Sequence, residues 1–239
     1  MMNVQEHQYH QRGLTSRSTL IGNVTILFHN IIHGGEIETE KLLVACQGLQ
    51  RAMFEVGACR GAVDLATNLE KIEMFNAPRG HGDTLKTLIM YEQGLGTHKE
   101  SGGRLKEPSA ALGFLWIRRS IAFQCRFLEL LLQHPTSLQA ATQAYHEELE
   151  PFHGHALQKI FKTALRFNLP PKSTILLKLS RPKCSLPSPD VLVDMQAFVD
   201  ILSPVRFHAT PEVKCKDYLK SKLLTSRLTA IGTLEVNFP

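Results

Sequence analysis

Asp64, Asn68 and Lys71 stand at i, i+4 and i+7 in the stretch VDLATNLEKIEMF. At roughly 100° per helical residue they fall within about 60° of one another, so a helix there carries one polar stripe, with the apolar Val63, Leu69 and Ile72 on other sides. A carboxylate, an amide and an ammonium in one row offer an acceptor, a mixed donor and acceptor, and a donor. That set suits the hydroxyls of a sugar. Taken alone, the stripe equally describes a solvated helix face with a weak ion pair, and pattern by itself favours that plainer description.

Two further residues carry chemistry only in company. Trp116, the chain's single tryptophan, lies in ALGFLWIRRSIAFQCRFLELLLQ beside Arg118 and Arg119. A large aromatic in an apolar helix packs in a core by default, but an indole face near the polar stripe can stack on the apolar face of a sugar ring. His153, in FHGHALQKIF, is by itself an ordinary helix histidine. No Ser/His/Asp, metal-ligand or phosphate-loop spacing stands out, so the chain reads as a binder rather than an enzyme and calls for no cofactor.

The elements that must position these residues read as helices. Ala110 to Gln133 is apolar nearly all round, the mark of a buried helix. At 1.5 Å per residue it runs about 35 Å, and its charges make it a poor bilayer span. Helical spacing predicts further helices over Ile37 to Val56 and Ala62 to Met74, and one capped by Asp83 that runs to Tyr91. Thr136-Ser137-Leu138-Gln139 is a capping-box pattern opening a helix to Leu149. Phe152 to Phe167 is amphipathic, with His153, Leu157, Ile160, Phe161 and Ala164 on one face and Pro170-Pro171 as its stop. Ser188-Pro189-Asp190 opens a helix to Leu202, and another covers Val213 to Leu228. Thr97 to Pro108 and Arg181 to Pro189 read as surface loops. Residues 1–34, polar and then briefly apolar in LIGNVTILF, read as a poorly ordered N-terminal extension. Residues 35–239 read as one all-α domain of about eight helices.

Composition sets the outer limits. The chain has 239 residues, 43% hydrophobic and 21% charged, ordinary for a soluble globular protein. A net charge of +5 and a pI near 9.0 suit an anionic partner. The basic residues are dispersed, which disfavours nucleic acid and leaves a membrane surface. Five cysteines, without CxxC or Cys/His metal spacing, read as reduced thiols of a cytosolic protein.

Together, D-x-x-x-N-x-x-K at Asp64, Asn68 and Lys71, FLWIRRSIAF around Trp116 and FHGHALQKIF around His153, in that order, resemble the glycolipid transfer protein family. The resemblance spans about Ile37 to Leu179. It implies an all-α, two-layer helical sandwich of about eight helices enclosing an apolar tunnel for the two chains of a ceramide, with the polar head at the surface. It implies that Asp64 and Asn68 hydrogen-bond the first sugar, that Asp64 also takes the ceramide amide N–H, and that Lys71 donates to sugar oxygens. Trp116 is then the stacking platform, and His153 meets the amide carbonyl. Arg118 and Arg119 are candidate headgroup contacts, but such a pair is common to both branches of the family.

The branch carrying ceramide 1-phosphate is expected to place arginines where this chain has Leu112 and Trp116, so a sugar headgroup is favoured. His155 stands where the glycolipid branch often has a membrane-docking tryptophan; Lys159 and the segment beginning at Phe167 are substitutes. The implied partners are a glycosphingolipid and a transient membrane surface, for a monomeric, cytoplasmic protein. Two alternatives remain open: a ceramide 1-phosphate carrier, and an all-α interaction module with a degenerate lipid site.

Overall fold

The computed structural model describes residues 19–80, 82–96, 105–180 and 185–206, the last three as backbone only. Nine α-helices are present among them: α1 (Leu20–His29), α2 (Thr39–Glu55), α3 (Cys59–Asn76), α4 (Leu85–Gly94), α5 (Ala110–Gln133), α6 (Ser137–Glu148), α7 (His155–Asn168), α8 (Lys172–Ser180) and α9 (Asp190–Arg206). A two-residue strand pair, Ile32–His33 with Glu36–Ile37, closes the turn between α1 and α2. This is the all-α architecture that the resemblance implies. The helix expected over Val213 to Leu228, and most of the Thr97 to Pro108 loop, lie outside the described residues.

Hydroxyl side chains fix where several helices begin. Thr19, Thr84, Ser109 and Thr136 each accept a hydrogen bond from the third backbone N–H beyond them, satisfying donors that a helix start leaves without partners. At α4 the cap is thus Thr84, not Asp83, whose carboxylate is held instead by Arg79. The short side chain next to the first turn reaches the N–H that the longer, ion-paired one does not.

The expectation of a poorly ordered segment through residue 34 fails over α1. Ile21, Val24 and Phe28 are buried in the main core, with Phe28 edge-on to Phe198 of α9 at 6.0 Å between ring centroids. Each such side chain contributes on the order of 1.5–3 kcal/mol by leaving water. Thr19 also donates to Asp194 at 2.5 Å, tying the start of α1 to α9. The apolar run LIGNVTILF, too short and uniform to signal amphipathicity, is a buried helix.

α5 is central. It packs on α3 and on α9, α3 packs on α2, α2 on α1, and α1 on α9, so five helices close a ring around the apolar interior. α6 covers α5 from outside the ring, joined by Arg126, which bonds Glu147 on α6 at 2.6 Å and Glu129 on its own helix at 2.9 Å. α7, beyond α6, has no fully buried residue. α8 follows Pro170-Pro171, where sequence patterning predicts only the end of α7. The Pro171 carbonyl accepts from Ile175 N at 3.1 Å, so the proline pair opens a new helix as well as stopping the old one.

Candidate functional site

The site forms where α3 crosses α5. Gly113 makes the crossing close: a Cβ there would sit 2.8 Å from the Asn68 carbonyl oxygen and 3.1 Å from the Lys71 Cβ. This contact lays the polar stripe of α3 against the helix that carries Trp116, one turn beyond Gly113. At the start of α5, buried Glu92 of α4 accepts from Ala111 N at 2.8 Å while Ser109 accepts from Leu112 N. An anion at a helix N-terminus is favourably placed, and here it fixes the end of α5 that leads to the tryptophan.

Asp64, Asn68 and Lys71 do lie in one row. Asn68 is buried at 4% exposure and donates to the Asp64 carbonyl at 2.9 Å; Lys71 donates to the Asn68 amide oxygen at 3.2 Å. Lys71 also bonds Glu107, 36 residues away in the segment before α5, at 2.7 Å. Asp64 is at the rim. Desolvation raises its carboxyl above the usual range, partly countered by the charges of His153 and Lys71.

Trp116 is half-buried and faces His153, with ring centroids 6.0 Å apart and planes tilted by 33°. Sequence patterning places His153 on the face of a helix, but α7 starts two residues later. His153 follows the 3-10 turn Glu150–Phe152 in extended conformation, and it is held by Tyr145 of α6, whose hydroxyl oxygen lies 3.1 Å from Nδ1. Pro151 in that turn is the reason: it breaks the helical run, so Phe152 and His153 belong to the approach to α7. Burial lowers the His153 pKa; Asp64 opposes and Arg119 reinforces that shift. Burial, with Glu150 nearby, raises Tyr145 to about 12.

The arginine pair divides. Arg119 is three residues from Trp116, on the same side of α5, and buried at 6% exposure. Its guanidinium carbon lies 4.7 Å from the Trp116 ring centroid and 3.8 Å from that of Phe152. Arg118 is half-buried and, at about 200° around the helix from Trp116, on another side of α5.

From His153 the rings continue inward. Tyr145 stacks on Phe161 at 4.3 Å, Phe161 meets Phe123 at 5.8 Å, and Phe123 stacks on Phe127 at 6.3 Å. This aromatic column joins the polar site to the apolar side of α5. His155 and Lys159 are exposed on α7, as is Phe167, at 80%. Sequence patterning alone misses Glu107 and Tyr145. Neither belongs to a local motif, and each reaches the site through tertiary packing.

Comparison with known proteins bears on the family and the fold. Residues 37–181 match the sequence model of the family described as Glycolipid transfer protein (GLTP). Among solved structures, the chain is similar to HET-C2, a fungal glycolipid transfer protein, at 20% identity and a TM-score of 0.61 over 82% of this chain and 94% of that one. It is similar to mouse ceramide-1-phosphate transfer protein in its apo form, at 17% identity and a TM-score of 0.66 over 85% and 98%. It is also similar to FAPP2, in a structure described as showing how FAPP2 selects simple glycosphingolipids using the GLTP-fold, at 19% identity and 0.60 over 93% and 98%. Likeness at these identities speaks for the fold, while the family match covers more than half of the chain. The chain belongs to the glycolipid transfer protein family.

Proposed function

We propose that this protein binds a glycosphingolipid and carries it between membranes, with the first sugar on Trp116 against Asp64, Asn68 and Lys71 and the ceramide in the apolar interior. The observation that carries this reading is the polar row of α3, brought by Gly113 directly alongside the helix that bears Trp116. A sugar ring offers hydroxyls that donate and accept and a C–H face that stacks, and the row and the indole answer those needs in turn. In this reading the Tyr145 hydroxyl, 3.1 Å from His153 Nδ1, holds the ring so that Nε2 faces the ceramide amide carbonyl. Ligand polar groups that leave water are thus paired, and the two chains gain by apolar burial. No bond is made or broken.

Phosphate is the second reading, supported by Arg119 and Lys71 at the site. Against it, Glu107 already neutralises Lys71, and a phosphate beside Glu107 and Asp64 meets like charge. The exposed Leu157, Ile160 and Phe167 of α7, with His155 and Lys159, form the surface that meets the bilayer in this reading. Among the described residues no helix is long and apolar enough to cross a membrane.

The test is transfer of a fluorescent glucosyl- or galactosylceramide between vesicles, with ceramide 1-phosphate as competitor. Transfer well above background with weak competition is expected. A folded protein that moves no glycolipid refutes the reading, and competition as strong as that of unlabelled glycolipid replaces it with the phosphate one.

A further inference from the structure

His153 sits on a short link, with the 3-10 turn Glu150–Phe152 before it and α7 beginning two residues after it. Gly154, at the start of α7, has no side chain to cap the helix. Gln158, four residues on, reaches back over that start instead. Its side-chain amide donates to the carbonyl of Glu150 at 3.1 Å and to that of His153 itself at 2.9 Å. Its backbone N–H bonds the Gly154 carbonyl at 3.0 Å, so the residue is anchored in the helix. Tyr145 holds the other end of the same histidine, its hydroxyl oxygen 3.1 Å from Nδ1. His153 is thus fixed at two points, its ring by α6 and its backbone by α7.

We infer that Gln158 is a positioning residue for the headgroup site: it fixes the stretch of backbone from which His153 presents its ring to the lipid. The inference rests on the reading of His153 as the group that meets the ceramide amide carbonyl. Gln158 and His153 are both half-buried, and a shielded carbonyl that loses its donor costs more than the bond that satisfied it. The two carbonyls therefore keep the amide where it is. A side-chain amide offers two N–H donors on one nitrogen without bringing a charge, so one side chain answers both. Lys162, one turn further along α7, also reaches the turn, but it bonds the carboxylate of Glu150 and its side chain is 52% exposed. Such a pair contributes little, and it pulls on the Glu150 side chain and not on the backbone of His153. Without Gln158 the histidine is tethered through Tyr145 alone, and ordering it on binding is subtracted from affinity.

The experiment measures equilibrium binding of a short-chain glucosylceramide to the full chain, read by Trp116 emission, in Gln158→Met, His153→Ala, the two combined, and Lys162→Met. Gln158→Met keeps the length and removes both donors. It is expected to weaken binding about 3- to 10-fold, the worth of one ligand hydrogen bond of ordinary net strength. His153→Ala is expected to weaken binding at least as much, and adding Gln158→Met to it to cost no more than about a further twofold, because the two act as one. Lys162→Met is expected to stay within about twofold of wild type. Gln158→Glu, which keeps the shape and has no donor, serves if the methionine variant does not fold. Unchanged affinity in Gln158→Met, a full-sized loss in the His153→Ala background, or an equal loss in Lys162→Met overturns the inference while leaving the Trp116 site standing. A wild type that binds no glucosylceramide, or a His153→Ala variant that binds as well as wild type, instead overturns the underlying reading, and the inference with it.

Discussion

Arg119 holds its guanidinium 4.7 Å from the ring centroid of Trp116, with Phe152 on its other side at 3.8 Å. The tryptophan is therefore backed by a buried, planar cation. A lysine keeps the charge and loses the planar contact. Since a cation–π pair is worth about 0.5–2 kcal/mol, Arg119→Lys is expected to weaken glycolipid binding about 2- to 30-fold. Trp116 is the only tryptophan, so its own emission reports both binding and the altered packing. Unchanged affinity in a variant of normal helix content would remove Arg119 from the site.

Gly113→Ala tests the crossing of α3 and α5. Alanine is the better helix former by up to about 1 kcal/mol. Here its methyl meets the backbone oxygen of Asn68 at 2.8 Å, so α3 must move. Overpacking of this kind costs about 1–3 kcal/mol. We expect a lower urea midpoint together with weaker glycolipid binding, because Asn68 and Lys71 shift as one. A midpoint equal to or above wild type would show the crossing to be looser than described.

Glu107→Gln removes the charge that neutralises Lys71. The pair is partly exposed, so the effect is modest, about 0.2–1 kcal/mol. Competition between ceramide 1-phosphate and a one-sugar ceramide should move toward the phosphate lipid by about 1.5- to 5-fold. No movement would show that Glu107 plays no part in choosing between headgroups.

His153 predicts an acid-sensitive fold. Its folded pKa is lowered by burial, so the unfolded chain takes up the proton first as pH falls. The stability tied to neutral His153 is full above the ordinary value of about 6.5 and is lost as pH falls from there through the folded value. Asp64, Arg119 and Tyr145 face the ring, and Asp64 has the opposite sign: its raised carboxyl favours the fold at low pH and loses that contribution as pH rises through its folded value. Denaturation midpoints between about pH 7.5 and 5 should therefore fall more steeply for the wild type than for His153→Gln. Parallel slopes would show that His153 is not the source of the acid sensitivity.

How much of this was legible depends on how local each determinant is. α5 announces itself by an unbroken apolar run and the three-residue stripe of α3 by helical spacing, so the frame follows from pattern, whereas pattern alone reads the stripe as a solvated face and the family resemblance is what makes it, with Trp116 and His153, a candidate site. α1 hides because a short helix buried on several sides has no polar face to set a period. α8 hides behind Pro170-Pro171, which reads as a stop although it also starts a helix. The partners that tune the site are the least legible of all. Glu107 reaches Lys71, and Tyr145 reaches His153, only after α5 and α6 have packed.

The placement of α7 separates two properties that a carrier must balance. The five-helix ring closes without it, yet its Phe161 is part of the aromatic column, its Leu165 packs against the core, and none of its residues is fully buried. Local opening of such an element costs far less than global unfolding. Cargo residence time can thus be set by how readily one helix lifts, independently of the melting temperature of the fold. Substitutions on the inner side of α7 should change the rate of lipid release while leaving the thermal transition of the ring where it was.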